Sequence, residues 1–138
     1  MKNCRAKSFV TIMIFIAIFA FLLRFAVSQI IKISIPQNES SAQATLKLIS
    51  TALENYAKDN QGAYPKSMTV LTQTKPPYLD RDYILRSPLK GYSYSCSRME
   101  PSGYSCTATP LKCMLSGTKI YAINTDGLFM VDECSKRE

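Results

Sequence analysis

The feature that most constrains this chain is an uninterrupted apolar run near its N terminus. Phe9 to Leu23 holds fifteen residues, of which only Thr11 is polar. Three basic residues precede the run, at Lys2, Arg5 and Lys7. A charged start followed by an apolar stretch is typical of a signal peptide or a membrane anchor, and neither belongs to a globular core. The run therefore has to be set apart before the fold of the remaining chain is considered.

The length of this run leaves two interpretations open. Fifteen helical residues span about 22 Å, less than the roughly 30 Å hydrocarbon core of a bilayer. A membrane anchor would extend to Val27, about 28 Å in all, with the Arg24 side chain reaching toward the headgroups. A signal peptide would instead be cut after the small residues of Ala26-Val27-Ser28, before Gln29.

The basic charge of the chain belongs mostly to this N-terminal part. The formal net charge is +7, and residues 1–32 contribute five basic and no acidic side chains. The remaining residues carry 12 basic and 10 acidic side chains, a net charge of only +2. Such an imbalance is typical of the cytoplasmic end of a membrane segment. We therefore expect a cytoplasmic N terminus and no nucleic-acid partner.

An amphipathic helix of roughly 19 residues is predicted after the apolar segment. Ser40 and Gln43 fit a capping box at its start, and Gly62 suits the left-handed position beyond its end. Pro36 is expected to interrupt the membrane helix, so that residues 29–38 form either a short helical extension or a linker. The predicted apolar stripe consists of Leu46, Leu48, Ile49, Ala52, Leu53, Tyr56 and Ala57.

The proline-containing stretch from Lys66 to Leu89 is expected to be ordered but mostly irregular. A single helical turn is predicted from Ser67 to Leu71, with Met68 and Leu71 in the core. Two patches, Tyr78-Leu79 and Tyr83-Ile84-Leu85, are expected to be buried in a loop or a short strand.

In the last third of the chain the side-chain pattern alternates from one residue to the next, with the period of two that is typical of a strand. Residues 92–96 and 104–108 alternate on either side of a loop with proline and glycine, which predicts a hairpin. A second hairpin is predicted from residues 118–124 and 128–131 around Thr125-Asp126-Gly127. Short strands with local turns make an antiparallel sheet. The predicted fold class is α+β, with an N-terminal hydrophobic helix and an amphipathic helix packed on this sheet.

Five cysteines divide unevenly between the two parts of the chain. Cys4 precedes the apolar run, whereas Cys96, Cys106, Cys113 and Cys134 lie beyond it. An even number of cysteines in an exported domain predicts two disulfides. Hairpin geometry places Cys96 roughly opposite Cys106 and puts Cys113 and Cys134 at the open end of the second hairpin, which favours these two pairs. A Cys106–Cys113 bridge remains an alternative.

Side chains that could carry catalysis are sparse. The chain has no His, which excludes a His-based triad and a His-ligated zinc site. The cysteines lack CxxC spacing, and Asp126, Asp132 and Glu133 lack the alternating carboxylates of a calcium loop. Asp80 and Asp82 are expected to be surface charges. We therefore predict that the protein is not an enzyme and has no catalytic residue, metal site or cofactor.

The order of these segments, together with one more specific motif, resembles the type IV pilins and the pseudopilins of type II secretion systems. The motif begins at Ile49 to Tyr56 and continues through Asp59-Asn60 to Gly62-Ala63-Tyr64-Pro65. Pseudopilins have a similar helix that closes on a tyrosine, followed by an Asp-Asn-Gly turn and a Tyr-Pro. Pro77-Tyr78-Leu79 and the two cysteine-containing hairpins extend the resemblance over most of residues 38–131.

The N terminus departs from the pattern of that family. Its members are cut by a prepilin peptidase between a Gly and a Phe that becomes methylated, with a Glu four residues further on. Ser8 and Phe9 occupy the cleavage positions here, and Met13 stands in place of the Glu. The resemblance marks Ser8 and Phe9 as the candidate processing residues. The missing Glu leaves two interpretations open, a minor or tip-like subunit and a relative that has lost assembly.

The resemblance implies a structural subunit of a type II secretion or type IV pilus-type filament. Residues 1–35 would form a cytoplasmic tip and a single membrane helix, with Phe9 to Val27 in the bacterial inner membrane. Residues 36–138 would form a pilin-like domain in the periplasm or outside the cell. Its partners would be other pilin-like subunits, inner-membrane assembly proteins and membrane lipid. The alternative is a secreted or periplasmic binding module, released by signal peptidase between Ser28 and Gln29.

Overall fold

A computed structural model describes residues 4–134 of the 138-residue chain, with side chains described from residue 9 onward. The chain forms two compact units, Met1–Ile33 and Ser34–Glu138. The first unit is helical throughout its described part, and the second combines helix with a four-stranded antiparallel sheet. The predicted α+β fold class, with a long apolar N-terminal helix and an antiparallel sheet, is confirmed.

The first helix, α1, is continuous over Cys4–Asp59 and comprises 56 residues. The predicted interruption at Pro36 and the capping box at Ser40 are therefore wrong, because both residues lie inside the helix. Thr45 Oγ1 donates to the carbonyl oxygen of Ser41 (2.9 Å), a side-chain bond formed within an unbroken helix. A proline inside a helix costs about 3 kcal/mol. Contacts between the following turn and the sheet, described below, offset this local penalty.

The second half of α1 buries one apolar stripe. Leu48, predicted to lie on that stripe, is instead 45% exposed. It lies about 200° around the helix from Leu46, since each residue turns the helix by about 100°. Tyr56 is partly buried and packs against the edge of the core. The buried residues of this half are Ala42, Leu46, Ile49, Ala52, Leu53 and Ala57.

α1 ends in a left-handed turn. Gln61 and Gly62 both have positive φ, at 58° and 85°. The Gly62 amide donates to the carbonyl of Ala57 (2.7 Å), which satisfies an acceptor that the last helical turn leaves open. Asn60 Nδ2 donates to the carbonyl of Tyr56 (2.8 Å). The predicted role of Gly62 is confirmed, and Gln61 shares the left-handed conformation.

A short helix, α2 (Met68–Gln73), replaces the single turn that was predicted here. Ser67 is its N-cap, and its Oγ accepts a hydrogen bond from the amide of Thr69 (3.3 Å). Met68 and Leu71 are buried, as predicted. α2 thus adds two apolar side chains to the core, near the end of α1.

The loop after α2 is only partly buried. Leu79 and Tyr83 are buried, but Leu85 is 78% exposed, so its predicted burial is wrong. The Asp82 carboxylate accepts hydrogen bonds from the amides of Ile84 (2.9 Å) and Leu85 (3.0 Å), which closes a tight turn. Leu85 therefore lies in a surface turn and not in a buried strand.

The sheet contains both predicted hairpins, each longer than predicted. The first strand continues beyond Cys96 through a bulge, so the loop between the first two strands shrinks to two residues. The strands pair antiparallel in the order of the chain. They are β1 (Tyr92–Glu100), β2 (Gly103–Pro110), β3 (Lys119–Asn124) and β4 (Gly127–Glu133).

The core lies between the second half of α1 and one face of β1, β2 and β3. Four tyrosines form most of the sheet side of this core and are more deeply buried than their alternating pattern suggests. The residues of β3 between its two ends are buried, whereas those of β4 are mostly exposed. The sheet side of the core consists of Tyr92, Tyr94, Tyr104, Cys106, Ala108, Tyr121 and Ile123.

Candidate interaction surfaces

The apolar first part of α1 is not covered by any part of the chain that the structure describes. Every large apolar side chain from Phe9 to Val27 is at least 52% exposed. The helix is long and apolar enough to cross a membrane, although a signal sequence would meet the same criteria of length and composition. Apolar surface of this extent is typical of a segment that contacts lipid or other apolar groups.

The candidate processing residues lie on this helix. Phe9 is 66% exposed and Met13 is 54% exposed. Ser8 is part of α1, but its side chain lies outside the described ones. α1 also continues through the candidate signal-peptidase position, where Ser28 Oγ donates to the carbonyl of Phe25 (2.7 Å). Both candidate cleavage positions are therefore helical in the folded chain.

Arg24 is the one cation between Lys7 and Lys32 in the sequence. It lies about 22 Å along the helix from Phe9, given a rise of about 1.5 Å per residue. At that depth a guanidinium can reach the phosphate level of a bilayer while its methylene groups stay in the apolar layer. A shallow cleft on the same side of the helix is lined by Phe21, Arg24, Phe25 and Ser28.

Two disulfides join elements of the second unit. Cys96 and Cys106 face each other across β1 and β2, with Cα atoms 3.9 Å apart. Cys113 and Cys134 join the β2–β3 loop to the end of β4, with Cα atoms 5.7 Å apart. These are the pairs that the hairpin geometry favours, and the Cys106–Cys113 alternative is not formed. Each bridge is expected to contribute about 2–4 kcal/mol by restricting the unfolded chain.

Two adjacent residues of α1 hold the start of β3, a contact that the sequence did not predict. Glu39 Oε1 accepts hydrogen bonds from the amide (2.9 Å) and the hydroxyl (2.7 Å) of Thr118. Glu39 Oε2 accepts a longer bond from the hydroxyl of Tyr121 (3.4 Å). Asn38 Nδ2 donates to the carbonyl of Ser116 (2.9 Å). These bonds fix the helix against the β2–β3 loop directly after Pro36.

Glu39→Gln is expected to lower the free energy of unfolding by about 1 kcal/mol at neutral pH, because a charged acceptor becomes neutral. Partial burial raises the pKa of Glu39, but the Thr118 hydrogen bonds and the Lys119 charge outweigh it and leave the pKa below its ordinary value. The carboxylate therefore stabilises the fold above the ordinary pKa, and this contribution is lost as the pH falls through the lowered value. Urea unfolding at neutral pH and near pH 3 measures the difference.

Glu100→Gln is the matched control for this prediction. The Glu100 carboxylate is 61% exposed and pairs with Arg98 at the surface (3.2 Å), where such a pair contributes little. The stability lost in Glu39→Gln should exceed that lost in Glu100→Gln at neutral pH and should shrink on acidification. A loss that stays constant over this pH range would contradict a role for the Glu39 charge.

Glu54 of α1 is partly buried and accepts hydrogen bonds from two tyrosines. Its Oε1 lies 3.0 Å from the hydroxyl of Tyr64 and 3.2 Å from that of Tyr104. The Tyr104 hydroxyl also pairs with Ser50 Oγ (2.7 Å), and the two tyrosine rings meet edge to face at 5.2 Å. Burial raises the pKa of Tyr104 to about 12. This network fastens the middle of the packed helix to β2.

Tyr104→Phe is expected to lower the free energy of unfolding by about 1–2 kcal/mol, because it removes these hydrogen bonds from a buried site. Tyr94→Phe is the matched control, since both side chains are 3% exposed. The Tyr94 hydroxyl has no hydrogen-bond partner within residues 4–134, and the neighbouring Thr45 gives its hydrogen to the Ser41 carbonyl. We expect Tyr94→Phe to change stability by less than about 0.5 kcal/mol. Equal losses in urea unfolding would contradict the assigned network.

An open cleft of about 520 Å³ lies beside the end of α1. Tyr56 and Tyr78 line it, with ring centroids 5.6 Å apart in an edge-to-face arrangement. The Tyr78 hydroxyl donates to the Asp59 carboxylate, and this bond raises the pKa of Tyr78. Two polar side chains of the cleft, Asp59 and Tyr78, are therefore engaged with each other, and we assign no ligand to the cleft.

The acidic residues considered for metal binding do not converge. Asp80 accepts hydrogen bonds from Arg81 Nε (2.6 Å) and from the Tyr83 hydroxyl (2.8 Å) at the surface. Asp82 closes the turn described above. Within the part of the chain that the structure describes, no group of three or more His, Cys, Asp or Glu side chains could hold a metal ion. The expectation that the protein is not an enzyme stays a prediction.

No protein-family model matches this sequence, and no curated protein matches it. The resemblance to pilins therefore depends on the motif residues and the segment order given above.

Proposed function

We propose that this protein is a pilin-like structural subunit that is anchored in a membrane and acts by packing with other subunits of a filament. One observation carries the proposal. The helix α1 has an exposed, apolar part from Phe9 to Val27 and a later part that buries a stripe under an antiparallel sheet. A helix with these two roles is what a subunit needs if it is stored in a membrane and then packs with apolar helices of its neighbours.

Charge and cysteine chemistry support the orientation that we propose. The basic residues before and within the apolar part, without any acid up to Lys32, favour a cytoplasmic N terminus. The two disulfides of the Ser34–Glu138 unit favour an oxidising compartment for that unit. We therefore propose the bacterial inner membrane, with the second unit in the periplasm or outside the cell. The filament would be of the type II secretion or type IV pilus type.

The residue at position 13 supports a minor or tip position within such a filament. Pilins use a glutamate there to neutralise the N-terminal amine of a neighbour, and Met13 has no charge to offer. A subunit at the tip has a neighbour on one side only, so the absence of this carboxylate is tolerated there. Other pilin-like subunits and inner-membrane assembly proteins are the partners that this role implies.

The intact mass and N-terminal sequence of the protein from membranes of its native host test the proposal. We expect a chain that begins with a methylated Phe9. Ser8→Gly restores the family residue before the cleavage point and is expected to increase the processed fraction. Ala6→Gly, two residues earlier, is the matched control and is expected to leave it unchanged.

Two other outcomes would count against the proposal. An uncut chain that begins at Met1 would support a fixed membrane anchor and would contradict the proposed role in filament assembly. A chain that begins at Gln29 would contradict the membrane anchor as well and would support a secreted binding module instead.

A further inference from the structure

β4 is an edge strand that pairs with β3 alone among the strands of residues 4–134. Phe129, Met130 and Val131 in its centre are 45%, 52% and 49% exposed. Successive strand residues point to opposite faces of a sheet. The exposure of the neighbours Phe129 and Met130 therefore means that neither face of β4 is covered at its centre, and a bulge at Val131 interrupts the pairing with β3 beyond them. Its outer backbone groups form a row that another strand could pair with.

The opposite edge of the sheet is partly closed, in contrast to β4. The amide of Tyr94 in β1 donates to Ser87 Oγ (2.8 Å). Leu89 and Tyr92 exchange two backbone hydrogen bonds, of 2.8 and 3.0 Å. Proteins commonly cover their edge strands with loops in this way, since an open edge invites pairing with other chains. The open edge at β4 is thus specific to one side of the sheet.

A second apolar element lies next to β4. Leu111, Met114 and Leu115 in the β2–β3 loop are each more than half exposed. The Cys113–Cys134 disulfide and the bond from the Cys134 amide to the Thr118 carbonyl (2.9 Å) hold this loop beside the end of β4. Leu111 lies toward the other side of the sheet, where its amide donates to the carbonyl of Gly91 (2.9 Å). We name Met114, Leu115, Phe129, Met130 and Val131 together the β4 edge surface.

The β4 edge surface concentrates the exposed apolar side chains of the Ser34–Glu138 unit. Eight large apolar side chains are exposed among the described residues of this unit, and five of them belong to the surface. The other three, Leu48, Leu85 and Leu111, lie on a helix, in a turn and at the β1 side of the sheet. Clustering of this kind marks an interaction site, whereas scattered apolar residues do not.

The charges around β4 favour one kind of occupant. Asp126 precedes the strand and Asp132 and Glu133 end it, whereas only two lysines lie beside them, Lys119 opposite Glu133 in the register and Lys112 in the adjoining loop. An anionic lipid surface would be repelled by three carboxylates. Pairing between two copies of β4 would bring six of them into one ladder. An apolar strand with basic ends would instead meet opposite charges at both ends of β4.

We propose that the β4 edge surface binds an extended segment of another protein, which adds to the sheet as a fifth strand. The segment would place apolar side chains on Phe129, Met130 and the loop, and basic side chains near the carboxylates. Backbone hydrogen bonds to β4 would supply affinity, and the alternating side chains would supply selectivity. This inference does not depend on filament assembly, because it holds equally for an anchored and a secreted form.

Methyl signals of methionine in the full chain, held in uncharged detergent micelles, test this proposal directly. The probe is a synthetic peptide of about eight residues, with alternating valine and threonine between terminal lysines, a length that matches an ordinary strand. We expect the signals of Met114 and Met130 to shift on titration and those of Met13 and Met68 to stay fixed. A peptide with terminal glutamates should bind at least about tenfold more weakly, and one with N-methylated backbone amides should not bind.

Two variants with equal changes in charge separate the β4 edge surface from other exposed sites. Phe129→Lys is expected to weaken binding of the lysine-ended probe by about tenfold or more, since it adds a like charge and removes an apolar contact. Leu85→Lys is the matched control and is expected to leave the affinity unchanged. Both side chains are exposed, so both variants should retain the near-ultraviolet circular dichroism of the folded unit.

Three results would overturn the proposal. Equal affinity for the lysine-ended and glutamate-ended probes would remove the argument from charge. Shifts at Met99, on the opposite edge strand, would assign the site to β1. Shifts at Met130 that follow protein concentration without any peptide would identify a second copy of the chain as the occupant.

Discussion

Leu53→Ala is expected to lower the free energy of unfolding of the Ser34–Glu138 unit by about 2–5 kcal/mol. The side chain is completely buried in the core between α1 and the sheet. Alanine would leave a cavity that neighbouring helix and strand residues can close only in part. All eight tyrosines lie in this unit, and the chain has no Trp. The tyrosine band of the near-ultraviolet circular dichroism during urea unfolding therefore follows this unit, because the apolar helix from Phe9 to Val27 has only phenylalanine as an aromatic residue.

Leu48→Ala is the control because it deletes the same atoms from the same helix. Leu48 is 45% exposed and lies about 140° around the helix from Leu53. We expect its substitution to change stability by less than about 0.5 kcal/mol. Similar losses in the two variants would mean that α1 packs with a different face toward the sheet.

The fold class could be predicted because its signals are local and periodic. Residues 46, 49 and 53 repeat at the spacing of a helix, and the Asp126-Gly127 pair is typical of a hairpin turn. Leu48 is apolar but does not share the stripe of residues 46, 49 and 53. It follows Leu46 by two positions, a turn of about 200°, and this places the two on nearly opposite sides of the helix.

The prediction at Pro36 was wrong for a different reason. Local preference gives proline a high cost inside a helix, and no pattern near residue 36 opposes it. What opposes it is distant in sequence: Asn38 and Glu39 bind residues 116 and 118, about eighty positions away. Tertiary contacts of this kind override propensity and leave no local signal.

The candidate surfaces also differ in whether a local sequence pattern could reveal them. The apolar helix could be predicted from Phe9 to Val27, since a run of apolar residues needs no partner to be recognised. The disulfide pairs followed from hairpin geometry once the two turns were identified. The β4 edge surface could not be predicted, because it depends on which strand the helix leaves uncovered. Three apolar residues in β4 look the same in the sequence whether they face a core or solvent.

Gly117→Ala is expected to lower the free energy of unfolding by about 3 kcal/mol. The added methyl carbon would lie 2.6 Å from Cζ and 2.8 Å from Cε2 of Tyr92, too close for either atom. The Tyr92 side chain is fully buried, and its hydroxyl donates to the carbonyl of Lys119 (2.9 Å), so the ring has no space to move aside. The same tyrosine dichroism during urea unfolding measures the loss.

Gly103→Ala is the control for a glycine with more room. Its added methyl carbon would lie 3.3 Å from Thr125 Cγ2, a side-chain atom that can move slightly, so we expect a loss of less than about 1 kcal/mol. Tyr92→Leu removes the ring atoms that meet the new methyl group. Gly117→Ala should therefore cost clearly less in that background, and equal costs in both backgrounds would show that the contact with Tyr92 is not the cause.

The position of Gly117 connects stability with the proposed peptide site. Its neighbours Ser116 and Thr118 are held by Asn38 and Glu39 of α1, and the same loop carries part of the β4 edge surface. Displacing Gly117 from Tyr92 would loosen this attachment while leaving the apolar residues of β4 in place. Gly117→Ala is therefore expected to weaken binding of the lysine-ended peptide as well as to destabilise the fold, whereas Gly103→Ala should do neither to a comparable degree.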